Sequence, residues 1–165
     1  MKSSLTIGIS QIAPVWLNRE ETIHKIVSQI NEAGSKGCEL VVFGEGLLPG
    51  YPFWVELMDG ARFNSAVQKE LFAHYIQQAV QISNGDLQPD LRNNTAVYLG
   101  CIERAADRGN HSLYCSLVYI DQAGKFGSVH RKLVPTYEER LVWSNGDGHG
   151  LTVHPLGAFT VGGLN

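Results

Sequence analysis

Two side chains in this 165-residue sequence stand where acid–base chemistry could be done: a carboxylate, Glu45, and an ammonium, Lys132. Glu45 lies two residues past the apolar run ELVVF, flanked by Gly44 and Gly46, which permit tight backbone geometry. A carboxylate buried there would need a reason, such as a partner cation. The plain alternative is a solvated loop glutamate, because loop acids are mostly exposed. Lys132 follows another strand-like run, in VHRKLVPTYEER, and could supply such a cation. Basic residues after a strand are also common as a solvated edge. Cys38, Cys101 and Cys115 are odd in number, widely spaced and set in or beside apolar runs, so they read as reduced, buried thiols. His130, His149 and His154, with Asp147 nearby, match no familiar metal-ligand spacing and read as surface or locally bonded histidines. Gly146 to Gly150 lacks the lysine and the strand-to-helix setting of a phosphate loop and reads as a turn.

The elements that must carry these residues follow from periodicity. Leu5, Ile7 and Ile9 alternate with smaller or polar partners, which predicts a first strand over Leu5 to Ile12. Asn18, with Glu21 three residues on, predicts a capped helix whose apolar side is Ile23, Ile26, Val27, Ile30 and Ala33, stopped by Gly34 and Gly37. Glu39 to Phe43 is a short run with adjacent valines, which predicts a buried parallel strand and completes a βαβ unit. The loop GEGLLPGYP therefore falls at the carboxyl end of that strand, where open α/β sheets present functional side chains. Val67, Leu71, Phe72, Tyr75, Ile76 and Ala79 predict a second helix from Asn64 to about Ile82, broken at Asn84-Gly85-Asp86. Thr95 to Ile102, Ser112 to Ile120 and Lys125 to Val129 are strand-like runs with turns at Asp107 to Asn110 and Asp121 to Gly124, an antiparallel meander. His130 to Gly150 reads as irregular, and Leu151 to His154, a turn at Pro155 to Gly157 and Phe159 to Gly162 close the pattern.

Composition narrows the class. A 44% hydrophobic content without contrasting halves predicts one α/β domain over residues 1–165. A formal net charge of −3 with scattered basic residues offers no stripe for a phosphate backbone, so no nucleic-acid partner is expected. The amino-terminal segment alternates polar and apolar residues instead of forming a signal-peptide core, and no run approaches the ~18 apolar residues of a membrane span. A soluble, cytoplasmic protein without a membrane partner is the expectation. The sequons at Asn93 and Asn110 are short enough to arise by chance and are set aside.

Two longer segments carry a resemblance. ELVVFGEGLLPGYP resembles the nitrilase, or carbon–nitrogen hydrolase, family segment in which a strand ends in phenylalanine, a catalytic glutamate follows and a Pro-Gly-Tyr-Pro turn comes next; the family's usual proline before the glutamate is Gly44 here. HRKLVPTYEERLVW with GDGHGL resembles the family's lysine motif in the version typical of nitrilases and cyanide-degrading relatives. ISQIAPVWLN fits the family's first strand, so the resemblance runs along essentially the whole chain. It implies that Glu45 is the general base, Lys132 the second catalytic residue and Glu139 an additional active-site glutamate. Val161-Gly162-Gly163-Leu164-Asn165 matches the run that precedes the family's nucleophilic cysteine, which implies that thiol directly after Asn165 and assigns its role to none of the cysteines present. Tyr51, Phe53 and Trp54 lie close enough to Glu45 in sequence to bind substrate, with hydrophobic packing beneath the loop as the equal alternative.

The fold implied is part of a four-layer α-β-β-α sandwich, of which this chain is the amino-terminal portion, needing the rest of its own domain to cover apolar sheet. The activity implied is hydrolysis of a small-molecule nitrile with water to a carboxylic acid and ammonia, through a covalent thioimidate, with no metal or organic cofactor. Cyanide dihydratase, amidase and an inactive scaffold module are the alternatives. Homo-oligomers, including spiral filaments, are implied by the same likeness.

Overall fold

The computed structural model describes residues 3–84, 87, 94–108 and 110–165. The strands and α-helices among the described residues are β1 (Ile7–Ser10), α1 (Arg19–Ser35), β2 (Leu40–Phe43), α2 (Phe53–Leu57), α3 (Ala66–Gln78), β3 (Ala96–Arg104), β4 (Leu113–Ile120), β5 (Phe126–Arg131), β6 (Val153–Leu156) and β7 (Phe159–Gly162), and a short 3-10 turn over Tyr137–Leu141 carries Glu139. The first five strands form one sheet in sequence order. β1, β2 and β3 run parallel, and β3, β4 and β5 continue antiparallel, so the expected βαβ unit and meander share a sheet. β6 and β7 make a separate antiparallel hairpin.

Local chemistry explains the boundaries. The Asn18 side chain accepts from the Glu21 amide at 3.1 Å, capping α1 with a contribution of about 1 kcal/mol. Gly34 does not stop this helix: it runs through to Ser35, and the reversal comes at Gly37, whose φ of +77° suits glycine. The second long helix is shorter than its apolar pattern suggests, beginning after the Ser65 cap and ending at Gln78. Tyr75 is its fully buried side chain, while Val67 stays exposed, so the amphipathic stripe overstates how much of the helix packs. The short α2, directly after the loop GEGLLPGYP, was not anticipated. Gly85 and Asp86 of the expected helix break, Asn93 of one sequon and Gly109 of the expected turn lie outside the described residues.

The two faces of the sheet are covered differently. Val41, Phe43, Val97, Leu99, Cys101, Val118 and Ile120 point toward α1 and pack on Ile26, Ile30 and Ala33. Each such aliphatic burial stabilises by roughly 1.5–3 kcal/mol. The opposite face carries two clusters: Ile102, Leu113 and Cys115 under Trp54, Tyr75 and Trp143 at one end, and Leu40, Ala96, Tyr98 and Tyr119 with Leu156 of the hairpin at the other. Ile7 and Ile9 of edge strand β1 share this second face, and they are 47% and 84% exposed. Among the described residues, no helix is long and apolar enough to cross a membrane.

Candidate active site

Glu45 is delivered by a close crossing of backbone over sheet. After β2 ends at Phe43 the chain passes directly over Gly100 of β3, where an added Cβ would fall 2.1 Å from the Gly44 carbonyl oxygen. Only glycine leaves room for that approach. The loop then runs alongside β3, with the Leu48 amide donating to the Gly100 carbonyl at 3.3 Å and the Ile102 amide donating to the Leu48 carbonyl at 2.7 Å. Glu45 is thereby held over the opposite face of the sheet, between its two clusters.

Lys132 arrives from the other side. β5 continues two residues further than its sequence pattern indicates, to Arg131, and the Lys132 amide donates to the Cys115 carbonyl at 2.8 Å. Alternation then sends Arg131 to the helix face and Lys132 to the site. Arg131 is clamped there by Glu103, with Nη2 to Oε1 at 2.7 Å and Nε to Oε2 at 2.8 Å, while its guanidinium lies 4.4 Å from the centre of the Tyr114 ring. The Ser116 hydroxyl also donates to Glu103, at 2.9 Å. The hydrogen bonds that Arg131 donates to Glu103, together with the charges of Glu103, Asp107 and Asp147, raise the Arg131 pKa against the effect of burial.

The Lys132 ammonium joins two carboxylates, donating to Glu45 Oε1 at 2.6 Å and to Glu139 Oε2 at 3.0 Å. Glu139 is 6% exposed and heavily bonded: its Oε2 also accepts from the Thr136 amide at 2.7 Å and the Thr136 hydroxyl at 3.0 Å, and its Oε1 accepts from the Tyr51 hydroxyl at 3.2 Å. Burial pushes the Glu139 carboxyl up, but the Thr136 donors and the Lys132 charge outweigh it and leave the pKa below the usual glutamate value. Burial likewise works against the Lys132 ammonium, and the two carboxylates more than offset it, so its pKa lies above that of an ordinary lysine. Tyr51 is pushed up to about 12, first by burial and then by the Glu139 charge, so its hydroxyl stays a donor. The result is an ionised lysine between two acids, a preorganised positive charge at the edge of a cavity.

The structure therefore brings Glu45, Lys132, Glu139 and Tyr51 together. Phe53 stands beside Tyr51, ring centres 5.0 Å apart, and with Tyr51 and Glu45 lines a cavity of about 350 Å³. Trp54 is not brought to Glu45. It is 2% exposed and packs edge-on against Tyr75 at 4.9 Å, so the packing alternative describes it. Both neighbours lie on the one-turn helix α2, and the turn aims Trp54 inward and Phe53 outward. Of the histidines, His149 pairs with Asp147 at the surface, His130 is buried, and His154 stacks on Tyr119 with ring centres 4.0 Å apart.

Sequence reasoning missed several neighbours. Trp143 presents its ring 5.9 Å from the Lys132 ammonium. Cys115, read simply as a buried apolar residue, is indeed 1% exposed, yet its Sγ lies 3.4 Å from Glu45 Oε1. Asn165 donates from Nδ2 to the same sulfur at 3.2 Å. Residues 160–165 line, with Glu45, Phe43, Tyr98 and Leu117, a second cavity of about 490 Å³. A period-two reading could have put Cys115 on one face with Leu113 and Leu117, but not beside Lys132, which depends on the β4–β5 register.

An α/β chain with two acids and a lysine converging beside a cavity defines a candidate hydrolytic site, and comparison supplies the family. The chain belongs to the carbon–nitrogen hydrolase family, whose profile matches residues 6–164. It is 36% identical over 166 residues to a protein named Nitrilase 2 from an unknown prokaryotic organism, covering 98% of this chain and 51% of that one. It is 33% identical to Nitrilase 1 of Arabidopsis thaliana, over 94% of this chain and 45% of the relative. To an aliphatic nitrilase of Rhodococcus rhodochrous it is 34% identical, over 99% and 43%. The chain thus spans about half the length of the curated relatives it matches. Its fold matches that of solved nitrilase-superfamily structures, among them a mutant of the Nesterenkonia AN1 amidase with a TM-score of 0.68 at 16% identity, over 97% of this chain and 55% of that one.

Proposed function

We propose that this chain forms the amino-terminal portion of a single nitrilase domain that hydrolyses a nitrile to a carboxylic acid and ammonia, with Glu45, Lys132 and Glu139 as its catalytic residues. The observation that carries the reading is the pair of contacts from one ammonium to Glu45 and Glu139, at 2.6 and 3.0 Å. The nitrilase relatives, at 33–36% identity, support nitriles over other carbon–nitrogen bonds as the substrate class. The exposed Ile7 and Ile9 support a second sheet covering this face, giving the four-layer α-β-β-α sandwich in which the remainder of the domain is the first partner. Further copies of the chain are proposed as its oligomeric partners.

The nucleophile in this reading is a cysteine directly after Asn165, whose side chain already sits at Cys115. Glu45 takes the thiol proton, the sulfur bonds to the nitrile carbon, and the proton passes to nitrogen to give a thioimidate. Lys132 stabilises the negative charge developing on that nitrogen. Water activated by Glu45 adds to the carbon, ammonia leaves, and a second water releases the acid from the thioester and restores the thiol. Two waters are consumed for each nitrile. Tyr51 holds Glu139, and Phe53 offers an apolar wall to the substrate.

The test is Glu45→Gln in the purified enzyme, assayed for ammonia release from aromatic, aliphatic and arylacetonitrile substrates, potassium cyanide and the matching amides. A loss of about 10²–10⁴-fold with unchanged folding is expected. Retained turnover would refute the base assignment, and turnover of amides alone would replace nitrilase by amidase.

A further inference from the structure

Cys115 is a nucleophilic group that the proposed reaction does not use, yet it touches the residue on which that reaction turns. Its Sγ lies 3.4 Å from Glu45 Oε1, the oxygen that also receives the Lys132 ammonium at 2.6 Å. Its own backbone carbonyl accepts the Lys132 amide at 2.8 Å, so one residue contacts both partners of the ion pair. The side chain is nearly sealed, at 1% exposure, packed with Ile102, Leu113, Tyr75 and Trp143. Burial, and then the Glu45 charge, raise its pKa well above the usual thiol value, which keeps the proton on sulfur. A buried neutral thiol beside a carboxylate has one useful thing to offer, an S–H donor.

We propose that Cys115 is a positioning residue, its thiol donating to Glu45 Oε1 so that this oxygen is fixed by two donors and Oε2 is left as the base. Carboxylates accept along two lone pairs per oxygen, and Oε1 has room for the ammonium and the thiol together. With Oε1 so held, the Glu45 carboxyl cannot swing about its terminal torsion, a broad, weakly restrained rotation in an unbound side chain. Asn165 Nδ2, at 3.2 Å, donates to the sulfur and so joins the end of the Gly162–Asn165 run to the same chain of bonds. The proposal rests on Glu45 being the base, and its test separates the two.

The experiment compares Cys115→Ser, which keeps a donor in a smaller side chain, with Cys115→Val, which fills the space but donates nothing. Positioning predicts a Val variant with kcat reduced about tenfold, KM little changed, and a Ser variant recovering most of the loss. Packing alone predicts the reverse order, with the Val variant nearer to wild type in both activity and thermal stability. Infrared spectroscopy gives a readout that needs no turnover: the S–H stretch lost in Cys115→Ser should lie at lower frequency than a free thiol and move up in Glu45→Gln. A band indifferent to Glu45→Gln, or a Val variant as active as the Ser variant, overturns the inference. A fully active Glu45→Gln enzyme whose S–H band does respond would instead leave the contact intact and sink the base assignment.

Discussion

Replacing Arg131 by methionine tests whether the clamp behind Lys132 is a stranded-charge problem or ordinary packing. The Arg131 and Glu103 side chains are 13% and 9% exposed, so neither is well hydrated once its partner is gone. Their positions are unequal, however. Arg131 reaches Asp107 and Asp147 at 3.4 Å as well, whereas the other hydrogen-bond partner of Glu103 among the described residues is the neutral Ser116 hydroxyl. Arg131→Met therefore leaves a buried carboxylate with a single donor, a change that costs about 3–5 kcal/mol when a buried pair is broken from one side. The retained Ser116 bond places the expectation near the lower end, about 3 kcal/mol. Glu103→Gln removes the charge but leaves Arg131 two outward carboxylates, and should cost about 1–2 kcal/mol. The double variant strands no charge, so its loss should fall below the sum of the two by about 1–2 kcal/mol. Urea unfolding at neutral pH measures all three, and the Arg131→Met midpoint on heating should drop by roughly 6–12 °C for a chain of this size. Additive losses, or a cost for Arg131→Met below about 1 kcal/mol, would show that the clamp is not acting as a desolvated ion pair.

Gly100→Ala should disable the site, because its new Cβ would meet the Gly44 carbonyl at 2.1 Å; turnover is expected to fall more than stability, measured by ammonia release beside thermal unfolding. Glu139 has a depressed pKa, so its contribution to stability is complete above the ordinary glutamate value and fades as pH falls through the folded value. Lys132 has a raised pKa, so its contribution is complete below the ordinary lysine value and fades as pH rises through the folded one. These two groups should thus add no pH dependence between those windows, and Glu139→Gln should weaken the protein there while flattening the acid side. His154 is depressed by burial, so the neutral ring favours the fold above the unfolded histidine value and that advantage declines as pH drops below about 6.5. His154→Gln should lessen this mildly acidic loss in urea titrations run at several pH values. Tyr75→Phe deletes the acceptor of the Trp143 indole N–H at 3.3 Å and the donor to the Gly50 carbonyl at 3.1 Å, with an expected cost of about 1–3 kcal/mol by urea unfolding.

Much of the architecture was readable because it is encoded over short distances. The Asn18 cap, the alternation of the first strand, and the turns bounding β4 and β5 act within a few residues, so sequence spacing alone reports them. Helix ends were less legible: Gly34 costs a helix something but does not end it when α1 is held down by Ile26, Ile30 and Ala33. Tyr51, Phe53 and Trp54 sat at the right place in sequence, but the unanticipated turn of α2 separates the outward Phe53 from the inward Trp54.

Sequence by itself indicated most of the order of elements and the family likeness, and it singled out Glu45 and Lys132 as candidates. Only tertiary structure decided that they meet, since Lys132 is 87 positions from Glu45 and Cys115 is 70. The reason is register: side chains alternate across a strand, and slipping β5 by one residue against β4 would exchange Arg131 for Lys132 and put the wrong cation at the site. The Glu103 clamp on Arg131 favours that register from the helix face, and it cannot be seen in spacing along the chain.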